Sequence, residues 1–260
     1  MDTPAFTDVG LPTQPAVVFL HGVGGGRHGW VPQQAHVAAL GWRSLAWDMP
    51  GYGDSALVMP YDFAHLAQAL WQMLDAARID QAVLVGHSMG AMVALQAWTQ
   101  KPERITGLLL AASSPAFGHS DGDFQKSFLA QRLAPQEAGK TMGDIADKLI
   151  PTMAAPGGDV TKLKSAHQSM SVVPPCTYRA ALHALVQFEQ RAALPTITVP
   201  VLCLAAEHDR TAPPAVVERM AQKIPGARYA CLAGAGHLLH YEQPEAFNAE
   251  LDKFLKDVKP

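Results

Sequence analysis

A serine flanked by two glycines is the first candidate for chemistry in this chain. Residues Gly86–Gly90 read Gly-His-Ser-Met-Gly, between the apolar run Ala82–Val85 and the helix-like segment Ala91–Gln100. A tight turn from a strand into a helix holds a serine in a strained backbone and exposes its hydroxyl at the sheet edge. The helix that follows offers free backbone N–H groups and the positive end of its dipole. The pattern predicts that Ser88 is a nucleophile rather than part of a structural glycine turn.

Two histidines late in the chain are candidate general bases, which a serine hydroxyl needs because it is a poor nucleophile at its free pKa. His237 follows the small-residue loop Gly234–Gly236, which comes directly after the strand-like run Arg228–Leu232. Such a loop can return an imidazole over the sheet edge, so His237 is the predicted base. His240, one turn later, is predicted to lie at the surface or on a pocket wall. The histidine pair has no further ligand at usable spacing, so we expect no metal and no cofactor.

An acidic residue is needed to orient that base. Asp209 lies just beyond the apolar run Val201–Ala205, in a loop that leads to the next helix-like segment at the same sheet edge. Glu207 is the competing candidate, and the alternative is that both are solvated loop charges. With Asp209 as the acid, the chain order is Ser88, Asp209, His237, which differs from the orders found in serine proteases.

Two backbone N–H groups are predicted to stabilise an oxyanion: Met89, directly after the nucleophile, and Val23 in the glycine-rich stretch Gly22–Gly26. Glycines let the backbone approach a ligand closely. A dinucleotide-binding loop is not supported, because Arg27 occupies the position of that motif's last small residue and no Walker lysine follows. Four nearby residues are candidates for substrate contact: His21, Gly22, His87 and Trp30.

The overall composition restricts the class of protein. Apolar residues make up 48% of the 260 residues, which excludes a disordered chain. The 20 Lys and Arg against 23 Asp and Glu give a net charge of −3, so no basic surface for nucleic acid or anionic lipid is expected. Three cysteines argue against a disulfide framework. The first ten residues lack a secretory signal, and no run is long enough to span a membrane. We therefore expect a cytoplasmic protein that binds a small-molecule substrate; the oligomeric state stays open.

The elements that must position these residues alternate between apolar runs and helix-like segments. The runs are rich in Val, Leu and Ile without alternation, as buried parallel strands are. This pattern predicts an α/β fold with a mostly parallel, doubly wound sheet. The predicted strands are Ala16–Leu20, Arg43–Trp47, Ala82–Val85, Gly107–Ala111, Val201–Ala205 and Arg228–Leu232, and the predicted helices between them include Asp62–Ala77, Met89–Gln100, Pro214–Lys223 and Glu245–Lys256.

One stretch, residues 117–195, has no strand run and contains four helix-like segments separated by prolines. We predict that it forms a helical lid inserted into a core made of residues 1–116 and 196–260; the alternative is a packing layer with no role in binding. Its basic residues could hold a substrate carboxylate, although solvation is the expected role of each: Lys126, Arg132, Lys140, Lys148 and Arg179.

Five segments in this order resemble the α/β-hydrolase superfamily, in its lid-bearing branch, over nearly the whole chain. They are His21-Gly22, Asp48–Ser55, Gly86–Gly90, Glu207–Asp209 and Gly234–His237. The chain is similar to esterases, 3-oxoadipate enol-lactonase-like enzymes and meta-cleavage-product hydrolases. The resemblance implies that Ser88, Asp209 and His237 form a triad and that Val23 and Met89 form the oxyanion hole.

Departures from relatives in that superfamily narrow the expected activity. Haloalkane dehalogenases and epoxide hydrolases carry Asp at the nucleophile, where this chain has Ser88. Meta-cleavage C–C hydrolases usually have Asn before the nucleophile and Trp after the histidine, where this chain has His87 and Leu238. We therefore expect a serine hydrolase that cleaves a small carboxylic ester or lactone through an acyl-enzyme. The alternatives are a C–C bond hydrolase, a perhydrolase and a non-enzymatic ligand receptor. The short N-terminus implies that one or two early antiparallel strands are missing or frayed.

Overall fold

A seven-stranded sheet lies at the centre of the computed structural model, which describes residues 2–117 and 122–258. The strand order is β1-β3-β2-β4-β5-β6-β7, and every pair is parallel except β1 with β3. The strands are β1 (Phe6–Val9), β2 (Ala16–Leu20), β3 (Arg43–Trp47), β4 (Ala82–His87), β5 (Ile105–Ala111), β6 (Val201–Ala206) and β7 (Arg228–Leu232). The predicted mostly parallel α/β sheet is confirmed.

Ten helices connect or cover these strands within the described residues. They are α1 (Val31–Ala39), α2 (Phe63–Ala76), α3 (Met89–Gln100), α4 (Asp123–Glu137), α5 (Met142–Met153), α6 (Lys164–Ser171), α7 (Pro175–Leu185), α8 (Pro214–Ala221), α9 (Leu239–Glu242) and α10 (Pro244–Asp257). Short 3-10 turns occupy Arg27–Trp30, Pro102–Arg104, Val160–Leu163 and Arg191–Thr196. None of the helices so described is both long and apolar enough to cross a bilayer.

The two faces of the sheet bury separate hydrophobic clusters. Successive side chains of β2 alternate between them: Val17 and Phe19 belong to one cluster, whereas Val18 and Leu20 belong to the other. Helices α1 and α10 cover the first face, and α2, α3 and α8 cover the second. Because both faces are covered, β2, β3 and β4 are buried along their whole length, which explains the continuous apolar runs Ala16–Leu20 in β2 and Ala82–Val85 in β4.

The first strand, β1, is an element that the sequence pattern did not predict. It pairs antiparallel with β3, from Phe6 opposite Trp47 to Val9 opposite Ser44. One side of this edge strand has no strand neighbour, and its residues are half-buried or exposed, so its sequence lacks the apolar run that marks the inner strands. One antiparallel strand is thus present near the N-terminus.

Helices α4–α7 form a helical insertion between β5 and β6. Tyr178 and Leu182 of α7 are buried in the same cluster as α2 and α3, and the ring of Phe188 packs on Phe63 at a centroid distance of 4.4 Å. Helices α4 and α5 continue past Pro135 and Pro151, where the sequence predicted that they end. Both prolines lie in the last turn, where each lacks the backbone N–H that would donate to the carbonyl four residues earlier. Residues 118–121 of the predicted lid lie outside the described residues, and the lid boundaries stay a prediction.

Candidate active site

Ser88 lies at the sharp turn between β4 and α3. Its backbone has φ 53° and ψ −118°, a conformation that costs a non-glycine residue about 1–3 kcal/mol. The backbone N–H of Ser88 donates to the carbonyl of Ala111 at 2.9 Å, which fixes the turn against β5. A Cβ atom at Gly90 would lie 2.1 Å from the carbonyl oxygen of Leu20, so only glycine fits where α3 crosses β2.

The structure brings Ser88, His237 and Asp209 together in one hydrogen-bonded line. His237 Nε2 lies 3.1 Å from Ser88 Oγ, and His237 Nδ1 lies 2.8 Å from Asp209 Oδ2. A carboxylate only accepts hydrogen bonds, so Nδ1 carries the proton and Nε2 presents its lone pair to the serine hydroxyl. The geometry is therefore that of a nucleophile, a base and an orienting acid.

The environment of Asp209 keeps its carboxylate ionised. Burial acts to raise its pKa, but His237 and hydrogen bonds from the backbone of Thr211 and Ala212 outweigh burial and lower the pKa. Glu207, the competing candidate for the acid, lies in the solvent-exposed part of the loop and accepts a hydrogen bond from the backbone of Gly234. Asp209, not Glu207, is thus the carboxylate that contacts His237.

Two backbone amides near Ser88 are available to a ligand. Within the described residues, neither the N–H of Val23 nor that of Met89 donates a hydrogen bond to another protein group. The turn that carries Val23 is closed by a 3.0 Å hydrogen bond from Gly25 N–H to the Gly22 carbonyl. The two predicted oxyanion donors are therefore both unpaired beside the same serine, and their role stays a prediction.

His21 orients the backbone amide of Val23. The backbone N–H of Met49 donates to His21 Nε2 at 2.9 Å, so the proton of the neutral ring is on Nδ1, which donates to the Gly22 carbonyl at 2.8 Å. Burial lowers the pKa of His21, which keeps the ring neutral and this arrangement fixed. Because the Gly22 carbonyl and the Val23 N–H belong to one planar trans peptide, a fixed carbonyl fixes the direction of the N–H.

His87 supports the backbone of His237 in a similar way. Its Nε2 donates to the His237 carbonyl at 2.8 Å. Burial, and then the proximity of His237, lower the pKa of His87 to about 3, so its ring stays neutral. His21 and His87 were predicted to contact substrate; both line the cavity described below, and both also hold backbone groups of the site in place.

The predicted substrate contact of Trp30 is not supported, because the structure places its side chain in the core and not on the cavity wall. Its side chain is fully buried, packs against Phe19 and Phe247, and stacks on the ring of His240 at a centroid distance of 4.2 Å. The short 3-10 turn after the glycine loop directs Trp30 back towards the sheet, away from Ser88. His240 is buried between Trp30 and His87 and forms part of the cavity wall.

A cavity of about 1040 Å³ opens above Ser88 and His237. Its floor comes from the sheet edge and the glycine loop, including His21, Gly22 and Val23. The helical insertion contributes an apolar wall that includes Phe128, Leu149, Ile150, Met153, Met170, Tyr178 and Leu182. Of the basic residues predicted within the insertion, Arg132 lines this cavity. In the part of the chain that the structure describes, no three His, Cys, Asp or Glu side chains are grouped to hold a metal ion.

Glu242 is a buried acidic residue that the sequence reasoning missed. Its carboxylate accepts hydrogen bonds from Ala155 N–H at 2.7 Å and from Gly236 N–H at 3.0 Å. The first amide belongs to the helical insertion, and the second precedes His237. Ala155 is 87 positions away from Glu242, whereas Gly236 is only six positions away, so the only local signal was an acidic residue shortly after the histidine loop.

Comparisons with known proteins agree with this architecture. A profile of the alpha/beta hydrolase fold matches residues 15–244. The chain is 27% identical over 264 residues to the pimeloyl-[acyl-carrier protein] methyl ester esterase of Neisseria meningitidis serogroup B, strain H44/76, covering 92% of each chain. It is 27% identical over 256 residues to the biotin biosynthesis bifunctional protein BioHC of Cellvibrio japonicus, of which it spans 48%.

A solved structure shows the same fold. The enol-lactonase of Burkholderia xenovorans LB400 superposes with a TM-score of 0.87 at 24% identity, covering 97% of this chain and 96% of that one. Together, the profile match and the mostly parallel sheet confirm the resemblance drawn from the five sequence segments. The chain belongs to the alpha/beta hydrolase fold family and is an α/β-fold hydrolase.

Proposed function

We propose that this chain is a serine hydrolase that cleaves a small carboxylic ester or lactone through an acyl-enzyme on Ser88. The observation that carries the proposal is the line from Asp209 through His237 to Ser88 at the floor of a mostly apolar cavity. A matched relative is a methyl ester esterase and a matched structure is an enol-lactonase, which supports ester or lactone chemistry.

In the first half of the reaction, His237 Nε2 takes the hydroxyl proton of Ser88 as Oγ attacks the substrate carbonyl carbon. The carbonyl π bond breaks and leaves an oxyanion, which accepts hydrogen bonds from the amides of Val23 and Met89. Asp209 stabilises the imidazolium that forms. The tetrahedral intermediate then collapses, and the leaving alcohol takes the proton from His237, which leaves an acyl group on Ser88.

In the second half, water replaces the alcohol. His237 removes one proton from the water as its oxygen attacks the acyl carbon, and the same two amides hold the oxyanion. Collapse breaks the bond to Ser88 Oγ, which recovers the proton from His237 and releases the acid. For a lactone substrate, the leaving alcohol stays joined to the acyl group, so ring opening ends in a hydroxy acid.

Two measurements test this function. Ser88→Ala should lower kcat on p-nitrophenyl butyrate by about 10³-fold or more, because triad losses remove the nucleophilic route. A fluorophosphonate should label wild-type protein once, on the peptide that carries Ser88. Ser165→Ala, an exposed serine on α6, is the matched control and should keep full activity and labelling. Retained turnover or labelling in Ser88→Ala would exclude the acyl-enzyme.

A further inference from the structure

Three cations from outside the helical insertion line the cavity, and we name them the cationic subsite: Arg210, Arg219 and Lys223. Arg210 directly follows Asp209 after the end of β6. Arg219 lies on α8, and Lys223 lies one helical turn further, just beyond the end of that helix. Two separate elements thus bring positive charge to the cavity that also contains Ser88.

These cations have no ion-pair partner among the described residues. Within residues 2–117 and 122–258, no carboxylate lies within ion-pair distance of Arg210, Arg219 or Lys223, and no hydrogen bond joins their side chains to another group. Other arginines differ, because Arg27, Arg43 and Arg104 each contact an aspartate at 2.6–2.7 Å. The described residues that line the cavity include no Asp or Glu at all.

Ordinary helix electrostatics do not account for this arrangement. A cation near the C-terminus of α8 is favoured by the helix dipole, which explains Arg219 taken alone. However, Lys223 lies beyond Ala221, the last residue of α8, and both cations line the same cavity. Arg210 adds a third like charge from a different loop. All three side chains are exposed to solvent, and a bound anion would offset the repulsion between them and accept their hydrogen bonds.

We propose that the cationic subsite binds an anionic group, a carboxylate or a phosphate, carried by the ester or lactone that Ser88 cleaves. The inference rests on the proposed function of Ser88 and specifies its substrate class. The reacting carbonyl lies at Ser88, the apolar part of the substrate fills the cavity, and the anion contacts Arg210, Arg219 and Lys223. Arginine forks suit a planar carboxylate or a phosphate, and the lysine adds a point charge.

The first experiment compares matched substrates. One series is mono-4-nitrophenyl esters of linear dicarboxylic acids, from glutarate to suberate; a second replaces the terminal carboxylate with a phosphate; and a third is neutral 4-nitrophenyl alkanoates of equal length. Wild-type kcat/KM should be at least about tenfold higher for an anionic ester than for its neutral partner, as charged hydrogen bonds predict. The preference should weaken with added salt. If the carboxylate esters show the larger preference over neutral esters, the bound group is a carboxylate. If the phosphate esters show it, the bound group is a phosphate.

Variants then assign that preference to residues. The double change Arg219→Gln and Lys223→Gln should lower kcat/KM for anionic esters about 10–100-fold and change it less than about twofold for neutral ones. Arg179→Gln is the matched control, because Arg179 lies on α7, contacts Glu137 and does not line the cavity. An equal anionic preference in wild type and double variant, or a wild-type preference for neutral esters, would overturn the subsite.

A binding measurement separates failure of the subsite from failure of the proposed function. Calorimetry on Ser88→Ala protein, with suberate and with inorganic phosphate at low ionic strength, requires no turnover. Saturable binding of either anion that the Arg219→Gln and Lys223→Gln changes abolish supports the subsite, even if wild type cleaves no ester. Ester turnover together with anion binding that these changes leave intact would overturn the subsite and leave the hydrolase assignment in place.

Discussion

The backbone N–H of His237 donates a 2.7 Å hydrogen bond to the carbonyl of Met153, at the end of α5. Glu242 adds a second link, because its carboxylate joins Ala155 of the insertion to Gly236 of the histidine loop. The position of the proposed base thus depends on the helical insertion, and a displacement of α5 would break bonds to the loop that holds His237.

Replacing Glu242 with Gln tests this dependence. One side-chain oxygen remains as an acceptor, but the amide nitrogen faces a backbone N–H, so one charged hydrogen bond is lost at a cost of about 1.5–3 kcal/mol in the free energy of unfolding. We expect kcat to fall about tenfold or more with little change in KM, since His237 loses its alignment. Urea denaturation and steady-state ester kinetics measure the two effects.

Glu245→Gln provides the control for the Glu242 change, because Glu245 is an exposed carboxylate three residues further on, at the start of α10. It should lower the free energy of unfolding by no more than about 1 kcal/mol, the effect of one charge on a helix dipole, and leave kcat unaltered. If Glu242→Gln loses stability but keeps the wild-type kcat, the link between the insertion and the base has no role in alignment.

His21 provides a test of the oxyanion loop. His21→Ala removes the ring that contacts the Gly22 carbonyl and the Met49 N–H. The Gly22 carbonyl keeps its hydrogen bond from Gly25 N–H, so the Val23 amide should become less well aligned with the substrate. Losing one oxyanion donor costs about 10²–10³ in kcat, and partial misalignment should cost about 10–100-fold, with KM nearly constant. His28→Ala, an exposed histidine seven positions along, is the control and should retain activity. A loss confined to KM would contradict a positioning role for His21.

The turn that carries Ser88 has no room for a side chain at Gly90. Gly90→Ala would place a methyl group 2.1 Å from the backbone oxygen of Leu20. Because the obstructing atom belongs to the backbone, rotation of a side chain cannot relieve the clash. We expect a loss of about 3 kcal/mol or more in the free energy of unfolding and loss of activity, because α3 must move away from β2. Gly143→Ala, near the start of α5, meets nothing closer than 3.5 Å and should be neutral or stabilising by up to about 1 kcal/mol. Equal melting temperatures for the two variants would refute this steric argument.

The sequence predicted those features that depend on local pattern together with the geometry of a parallel sheet. Ser88 and Asp209 follow buried strands and His237 follows the edge strand β7. The carboxyl ends of parallel strands share one edge of the sheet, so the convergence of these residues could be expected. Strand β1 was missed because a half-exposed edge strand has no apolar run.

Other features depended on contacts between distant residues. Glu242 was missed because its partner Ala155 is 87 positions away, and the cationic subsite was missed because α8 faces the cavity only once the sheet is assembled. The assignment of Trp30 failed for the same reason: nothing local distinguishes a ring that faces a ligand from one that packs on His240.

The buried histidines predict a dependence of stability on pH. Burial lowers the pKa of His240 well below its ordinary value, and His87 and His237 lower it further. In the unfolded chain, a histidine takes up its proton at about pH 6.5. Below that pH the unfolded state binds one proton more than the folded state, so the free energy of unfolding falls as pH falls, by about 1.4 kcal/mol per pH unit for each such histidine. His21 and His87, whose pKa values are also lowered, add to this slope.

His240→Phe removes the contribution of His240 to the pH dependence of the unfolding free energy while keeping a ring to stack on Trp30. Between pH 6 and 4.5, the slope of unfolding free energy against pH should decrease by about 1.4 kcal/mol per unit. At pH 8 the variant should be as stable as wild type or more stable, because His240 Nδ1 is buried without a hydrogen-bond partner among the described residues. His183→Gln, an exposed change on α7, should leave the slope unaltered. Urea titrations at half-unit pH intervals give the slopes, and parallel curves for His240→Phe and wild type would mean that His240 is protonated equally in the folded and unfolded states.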